Sequence, residues 1–222
     1  MVFRVCLLIQ AIVLGSLVTT AHASDDDSRV LVDLKGLGAR WELNDRGRIT
    51  KLDLSGIHVS SALLWKLPRL VALRELNVAN TGLDDAGLML VRRLPKLQSL
   101  NLDRTKITST GPWSLRELSH LRQLSLAHTQ VDDRSLAAVA RLQALRSLDL
   151  SGTHVTSYGV LQLLKLRRLE QLNLSDTQVD DGVIYGVTRL KSLKTLTLSR
   201  THVSDLSVKQ IEQALLGAKV IR

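Results

Sequence analysis

Cysteine, proline and aromatic residues are scarce in this chain of 222 residues. It contains one cysteine, three prolines, one phenylalanine, three tryptophans and two tyrosines, whereas 45% of its residues are hydrophobic. So much apolar material argues against a disordered chain. Because leucine is the commonest residue in it and aromatics are few, a conventional core built around aromatic rings is also disfavoured. The balance is typical of repeat proteins, whose cores consist of one small layer stacked many times.

The single cysteine lies in an N-terminal segment with the features of a secretory signal peptide. Arg4 supplies a positive charge, residues 5–18 are apolar with two polar interruptions, and residues 21–23 read Ala-His-Ala. This pattern predicts a signal peptide over residues 1–23, cleaved after Ala23, and a protein that is periplasmic, on the cell surface or secreted. An uncleaved membrane anchor is the alternative, although the apolar segment is short for a span of about 20 residues.

Removal of this leader would leave a mature chain without cysteine. Disulfides, a thiolate nucleophile and a cysteine metal site would then all be excluded. Arg4 is the only charged residue of the leader, so the net charge would fall from +9 to +8, with 29 basic against 21 acidic residues. No later stretch is long and apolar enough to span a bilayer. We therefore expect a basic mature protein with no integral membrane span.

A pattern of 24 residues recurs seven times without insertion or deletion. Each unit opens with apolar residues spaced as LxxLxL, and six of the seven units carry threonine at the ninth position. In the second half of each unit, apolar residues recur at intervals of three, which is typical of one face of a short helix. The units begin at Ile49, Leu73, Leu97, Leu121, Leu145, Leu169 and Leu193.

Serine or aspartate occupies the thirteenth position of every unit, just before the predicted helix. Their side-chain oxygens accept hydrogen bonds from free N–H groups of a first helical turn, so we predict that they are the N-caps. These residues are Ser61, Asp85, Ser109, Asp133, Ser157, Asp181 and Asp205.

The repeat resembles the leucine-rich-repeat family over residues 49–222, and is most similar to the 24-residue repeats of exported bacterial members. The resemblance implies an α/β solenoid of about seven repeats, with parallel strands on a concave face and short helices on a convex face. Strands lie about 4.8 Å apart and packed helices roughly 8–10 Å apart, so stacking the two layers must curve the molecule. The family usually has asparagine at the ninth position, where side chains join the turns of adjacent units. Threonine in that place predicts a ladder of hydroxyl groups.

An N-terminal cap is predicted over residues 24–48, which begin as an acidic stub. We expect residues 24–27 to be loose and residues 28–38 to form a helical turn. Residues 39–54 read as a β-hairpin around an Asp-Arg-Gly turn at 45–47. This cap would cover the first strand of the solenoid, whose terminal units each have one bare face.

At the other end, residues 211–216 are expected to finish the last helix, and residues 219–221 to add a final half-strand. Cysteine-stapled caps, which are usual in extracellular eukaryotic members of the family, are absent from the sequence. This favours a bacterial origin.

The strand residues that are third, fifth and seventh in each unit face the concave surface, because side chains alternate along a strand. Concave columns bind partners throughout the family, which implies a protein-binding face made of many polar contacts. A merely solvated face is the alternative, since hot spots favour Trp, Tyr and Arg. The predicted protein-binding residues form the fifth-position column: Asp53, Asn77, Asn101, Ser125, Asp149, Asn173 and Thr197.

Basic residues collect at the C-terminal ends of the predicted helices and acidic residues at their N-terminal ends. Helix-dipole complementarity accounts for much of this order. A polyanion-binding rim for an acidic glycan or polymer is the other interpretation of the basic excess. Nucleic acid is a poor candidate partner, because the chain is predicted to be exported and no aromatics interleave with the charges. The rim residues are Arg69, Arg93, Arg141, Lys165 and Arg189.

One helical column carries most of the large apolar side chains outside the leucine pattern. We expect them to fill gaps between neighbouring helices rather than to form a docking site. The column is Trp65, Met89, Trp113, Ala137, Leu161 and Tyr185.

Motifs for catalysis or cofactor binding are missing from the sequence. There is no nucleophile elbow and no glycine-rich phosphate loop. His58, His154 and His202 share one position in the unit. Four repeats, or about 19 Å, separate His58 from His154, and two repeats, or about 10 Å, separate His154 from His202, so they are too far apart to share an ion. We therefore expect no catalytic residue, metal or cofactor. The expected function is a protein-binding module or scaffold, with polyanion binding as the alternative. An intracellular recognition subunit of the F-box kind is disfavoured by the leader.

Overall fold

The computed structural model describes residues 25–222, so the predicted signal peptide and its cleavage site lie outside the described residues. Within that range a single sheet of nine strands runs along the molecule, and strands that are neighbours in the sequence are neighbours in the sheet. The first pair is antiparallel and every later pair is parallel. The strands are β1 Arg40–Leu43, β2 Ile49–Asp53, β3 Glu75–Asn77, β4 Ser99–Asn101, β5 Gln123–Ser125, β6 Ser147–Asp149, β7 Gln171–Asn173, β8 Thr195–Thr197 and β9 Lys219–Ile221.

The register of the sheet follows from the constant length of the units. Leu76 pairs with Leu100, and Leu148 with Leu172, each 24 residues along the chain. This fourth-position leucine points into the core in every unit and is at most 2% exposed, as in Leu52 and Leu124. The leucines of successive units therefore form one continuous core between the sheet and the helices.

Short helical segments form the second layer and return the chain from the end of one strand to the start of the next. Seven α-helices lie in the described range: α1 Asp25–Lys35, α2 Ser61–Lys66, α3 Asp85–Val91, α4 Asp133–Val139, α5 Ser157–Val160, α6 Ile184–Val187 and α7 Asp205–Ala214. Four 3₁₀ segments extend or replace them, at Leu67–Arg69, Gly111–Glu117, Leu161–Lys165 and Asp181–Val183. The predicted curved α/β solenoid, with strands on the inner face and short helices on the outer face, is confirmed.

The predicted N-caps are wrong by one residue. The cap is the twelfth residue of the unit: Asp84 accepts from Gly87 N at 2.9 Å, and Ser204 accepts from Ser207 N at 3.3 Å. In the third unit the 3₁₀ segment starts after Thr110 without a side-chain cap. The aspartates at the thirteenth position lie in the first helical turn, and the carboxylates of Asp85, Asp133 and Asp181 accept hydrogen bonds from the next unit.

The threonines of the ninth position do not join adjacent units. Thr81 Oγ1 donates to Val78 O at 2.7 Å, and Thr153 Oγ1 donates to Leu150 O at 2.5 Å, so each bond closes a turn within one unit. A hydroxyl has a single hydrogen to donate and a short reach. The local carbonyl takes that hydrogen, and the predicted ladder between units is replaced by a row of internal turns.

The N-terminal cap is more ordered than predicted, because α1 includes residues 25–27. Asp27 is fully buried and accepts from Ile49 N at 2.6 Å, with Arg48 at 3.8 Å from its carboxylate. The predicted hairpin is confirmed: Trp41 of β1 pairs with Leu52 of β2.

The C-terminal end of the solenoid closes as predicted. The last helix, α7, ends at Ala214, and the chain then returns to the sheet as β9. Val220 pairs with Leu196 in parallel register, so β9 extends the ladder by one further strand.

Candidate binding surfaces

Polar side chains at the third position of each unit line the concave face. Glu75, Gln123 and Gln171 are exposed there. Their neighbours interact across strands: Lys51 Nζ lies 3.5 Å from Glu75 Oε1, and Ser147 Oγ is 3.1 Å from Gln171 Oε1. Since parallel strands lie about 4.8 Å apart, this column is a regularly spaced row of donors and acceptors.

The predicted protein-binding column at the fifth position is half-buried beside that row. In most units its side-chain oxygen accepts from the backbone N–H two residues later, as from Asn101 Oδ1 to Asp103 N (2.8 Å) and from Asn173 Oδ1 to Ser175 N (3.1 Å). These are Asx turns, which end each strand. The structure brings the column into line, with Asp53, Asn77, Asn101, Ser125, Asp149, Asn173 and Thr197 paired in register from strand to strand.

The first member of the column shows how strongly these side chains are held. Burial raises the pKa of Asp53, but hydrogen bonds from Ser55 and the ion pair with Arg40 outweigh it and leave that pKa below its ordinary value. Asp149 Oδ2 accepts from Asn173 Nδ2 at 3.0 Å, so neighbouring members also bond to each other. Each fifth-position side chain in such a turn therefore has one oxygen committed to the fold, and in Asp53, Asp149 and Asn173 the second polar atom is bonded as well.

The rim residues predicted from the sequence all lie exposed near the C-terminal ends of the helical segments. Within the described range, none of the five has a carboxylate within 4.0 Å. The guanidinium of Arg141 lies 5.7 Å from the centroid of the Trp113 ring, which is a cation–π distance. The rim is thus a row of cations without ion-pair partners among the described residues, interrupted by Glu117 at the equivalent position of the third unit and formed by Arg69, Arg93, Arg141, Lys165 and Arg189.

Two concavities open on the same basic edge of the molecule. One, of 730 Å³, lies at the starts of the last strands and is lined by Arg146, Arg167, Arg168 and Lys194 among others. The other, of 450 Å³, lies between the hairpin turn and the loop before β3. Neither concavity was predicted from the sequence, although the recurrence of cations at the strand starts is a signal that could have indicated them.

The apolar column on the helices is more exposed than predicted. Trp65 is 65% exposed, Tyr185 69% and Met89 48%, so these side chains do not fill gaps between neighbouring helices. The helical segments are one or two turns long, and this position lies on their outer side. Tyr158, which lies outside this column, is 72% exposed on the same layer.

The described residues contain no helix that is both long and apolar enough to cross a membrane. In the same range, no three histidine, aspartate or glutamate side chains converge where a metal ion could bind.

Comparison with known proteins points to one family. The family model described as leucine rich repeat matches residues 71–131. Comparison with curated proteins by sequence finds no match.

Solved structures share the fold at low sequence identity. Internalin C2 of Listeria monocytogenes is 22% identical with a TM-score of 0.66, over 78% of this chain and 70% of that protein. A leucine-rich-repeat protein of Leptospira interrogans is 21% identical with a TM-score of 0.52, over 71% of this chain and 45% of its own. A second Listeria monocytogenes internalin is 18% identical with a TM-score of 0.52, over 74% and 57% respectively. This chain therefore spans about half the length of the latter two. The repeated sequence, the family match over residues 71–131 and the solenoid together show that this chain has the leucine-rich-repeat fold.

Proposed function

We propose that this protein is a non-catalytic, protein-binding module exported to the envelope or surroundings of a bacterial cell. The observation that carries the proposal is the concave face, where exposed third-position side chains stand beside a half-buried row fixed by hydrogen bonds. A surface held in this way engages a partner without a large change of shape, which limits the entropy lost on binding. The signal-peptide features of residues 1–23 support export.

Within this proposal the two concave columns have different tasks. The exposed third-position side chains, such as Glu75, Gln123 and Gln171, make the first contacts. The fifth-position column from Asp53 to Thr197 forms the floor and offers its remaining polar atoms. Substitutions in the fifth-position column would break the hydrogen bonds of the turns that end the strands. A loss of binding could then not be distinguished from a loss of folded structure.

A capture experiment tests the proposal with residues 24–222 as bait against envelope and culture-medium extracts. We expect a discrete protein to be retained at both about 0.15 M and about 0.5 M salt. The triple variant Glu75→Ala, Gln123→Ala and Gln171→Ala should lose it. A matched control removes the same side-chain types from exposed positions of α7, as Gln210→Ala, Glu212→Ala and Gln213→Ala, and should retain it. Equal retention by both variants would place the interaction elsewhere.

An acidic glycan or polymer bound along the rim is the second candidate. It is favoured by the exposure of Arg69, Arg93, Arg141, Lys165 and Arg189 and by the lack of carboxylates near them within the described residues. The Debye length falls from about 8 Å to about 4 Å between the two salt concentrations, so a polymer held by summed charge is released. Retention at low salt alone, abolished when rim arginines are changed to glutamate, would support the rim over the concave face.

A further inference from the structure

The larger concavity on the basic edge has the dimensions of a small-molecule site. Its volume of 730 Å³ falls within the roughly 300–1,000 Å³ of typical ligand pockets. It is an open groove where the last three units begin their strands, and Leu216 and Gly217 of the loop after α7 lie at its border. Leu216 is 90% exposed, so an apolar side chain borders the opening.

Five cations and one carboxylate line this groove: Arg146, Arg167, Arg168, Lys191, Lys194 and Glu170. They leave an excess of four positive charges within one opening. A concave site of one charge sign concentrates the field of its side chains and raises the local concentration of oppositely charged ligands.

Glu170 fixes two of the cations in place. It immediately precedes β7 and forms ion pairs with Arg146 of the preceding unit and Lys194 of the following one, the latter at 2.7 Å. Hydrogen bonds from Lys194 and Arg146 hold the pKa of Glu170 below its ordinary value, so it remains ionised. The result is a row of positive, negative and positive side chains across three adjacent strands.

The other three cations retain donors for a ligand. Arg167 and Arg168 are exposed, and no carboxylate of the described residues lies within 4.0 Å of either. Lys191 Nζ donates to Ala214 O at 3.3 Å, which leaves two of its three hydrogens. The groove thus offers a surplus of charged donors beside an apolar side chain.

We propose that this groove binds a saccharide that carries a phosphate monoester. Guanidinium groups match the oxygens of a phosphate with paired hydrogen bonds, and its near-double charge competes with Glu170 for Arg146 and Lys194. The volume exceeds what an isolated phosphate fills, and Leu216 offers a contact for the C–H face of a sugar ring. The site depends neither on a protein bound to the concave face nor on a polymer along the rim.

Calorimetric titration of the protein with a hexose phosphate, inorganic phosphate and the uncharged hexose tests this site. We expect the hexose phosphate to bind best, inorganic phosphate more weakly and the hexose not at all. The double variant Arg167→Ser and Arg168→Ser should weaken hexose phosphate binding at least about tenfold, since it removes charge-assisted hydrogen bonds. Glu170→Gln should strengthen it, because a competing carboxylate is removed.

A matched control removes two rim arginines far from the groove, as Arg69→Ser and Arg93→Ser. It should change the affinity less than about twofold, because distant charges are screened at physiological salt. Equal losses in the two double variants would mean attraction by overall charge and would overturn the site. Equal affinities for hexose phosphate and inorganic phosphate would overturn the saccharide, as would no binding of either. The changed residues are exposed, and an unaltered Tm would show that each variant is folded.

Discussion

The eighth residue of every unit adopts the left-handed backbone conformation, whatever its side chain. Five of these residues are not glycine, with φ between 54° and 57°: Asn80, Arg104, His128, Asp176 and Arg200. This conformation costs an ordinary residue about 1–2 kcal/mol. It persists because the next unit fixes the backbone: Arg104 N donates to Ala127 O at 2.9 Å, and His128 N donates to Ser151 O at 2.8 Å. Strain of this kind is held only where surrounding contacts determine the conformation.

Two glycines at this position form a matched pair for measuring that strain. Gly56 and Gly152 have φ of 71° and 65°. A Cβ on Gly56 would have no atom within 4 Å, whereas one on Gly152 would lie 2.3 Å from His128 Nδ1. We expect Gly56→Ala to lower the free energy of unfolding by about 1 kcal/mol from the backbone alone.

Gly152→Ala should cost more than Gly56→Ala, because the ring of His128 must also move. The additional loss should disappear in a His128→Ala background, as measured by urea unfolding. Equal losses for the two glycine variants would show that the exposed ring moves aside freely.

At the scale of elements, the aspartates of the first helical turns join successive units, whereas the ninth-position threonines do not. Asp133 accepts from Thr156 N at 2.8 Å and from Thr156 Oγ1 at 2.7 Å, and Asp181 accepts from Ser204 N at 2.7 Å. Asp85, Asp133 and Asp181 lie in alternate units, and each bonds to a hydroxyl residue of the next unit. Each such bond ties the first turn of one helical segment to the loop that precedes the next.

Asp85 makes three such bonds, to Thr108 N at 2.9 Å, Thr108 Oγ1 at 2.5 Å and Thr110 Oγ1 at 2.7 Å. Burial raises the pKa of Asp85, but these hydrogen bonds outweigh it and hold that pKa below its ordinary value. A carboxylate whose pKa is lower in the folded state stabilises the fold above its unfolded pKa. That stabilisation is lost as the pH falls through the folded value.

Asp85→Asn should therefore lower the free energy of unfolding by about 1–2 kcal/mol at neutral pH. The difference from the parent protein should shrink below about pH 4, where the carboxylate of the unfolded chain is itself protonated. Urea unfolding across this pH range measures both. The control Asp45→Asn lies in the exposed hairpin turn and should change stability by less than about 0.5 kcal/mol. A difference for Asp85→Asn that stays constant down to pH 2 would contradict the assigned ionisation.

At the scale of the whole molecule, the protein is a stack in which each unit packs on its neighbours. Such a stack is stabilised by units and by the contacts between them, so its ends and its middle respond differently to damage. Leu124 in β5 and Leu196 in β8 occupy the same position of the unit and are both at most 2% exposed. They differ in place: one is central, and the other is one strand from the end.

Leu124→Ala should lower stability by about 2–5 kcal/mol and loosen the units on both sides. Leu196→Ala should leave the N-terminal units protected and expose mainly those near β9. Hydrogen exchange read unit by unit distinguishes these outcomes. The same loss of protection along the whole chain in both variants would show that the stack unfolds as a single cooperative unit.

The constant period of 24 residues was enough to predict the architecture from the sequence. Units of equal length repeat the same hydrogen-bond register, so the pairing of Leu76 with Leu100 follows from counting. Alternation along the strands also indicated which side chains face inward. The terminal strands β1 and β9 were predictable for a related reason, since a bare terminal strand needs a partner.

The tertiary structure alone decided which polar group bonds to which, and which side chains are left exposed. Periodicity sets the direction of a side chain but not its reach, so it did not show that Thr81 bonds within its unit and Asp85 to the next. Helix length decided the exposure of Trp65, because segments of one or two turns leave their outer side uncovered. The groove beside Glu170 depends on how close the loop after α7 lies to the starts of the last three strands. The repeat pattern does not specify that spacing, because this loop lies at the end of the repeats.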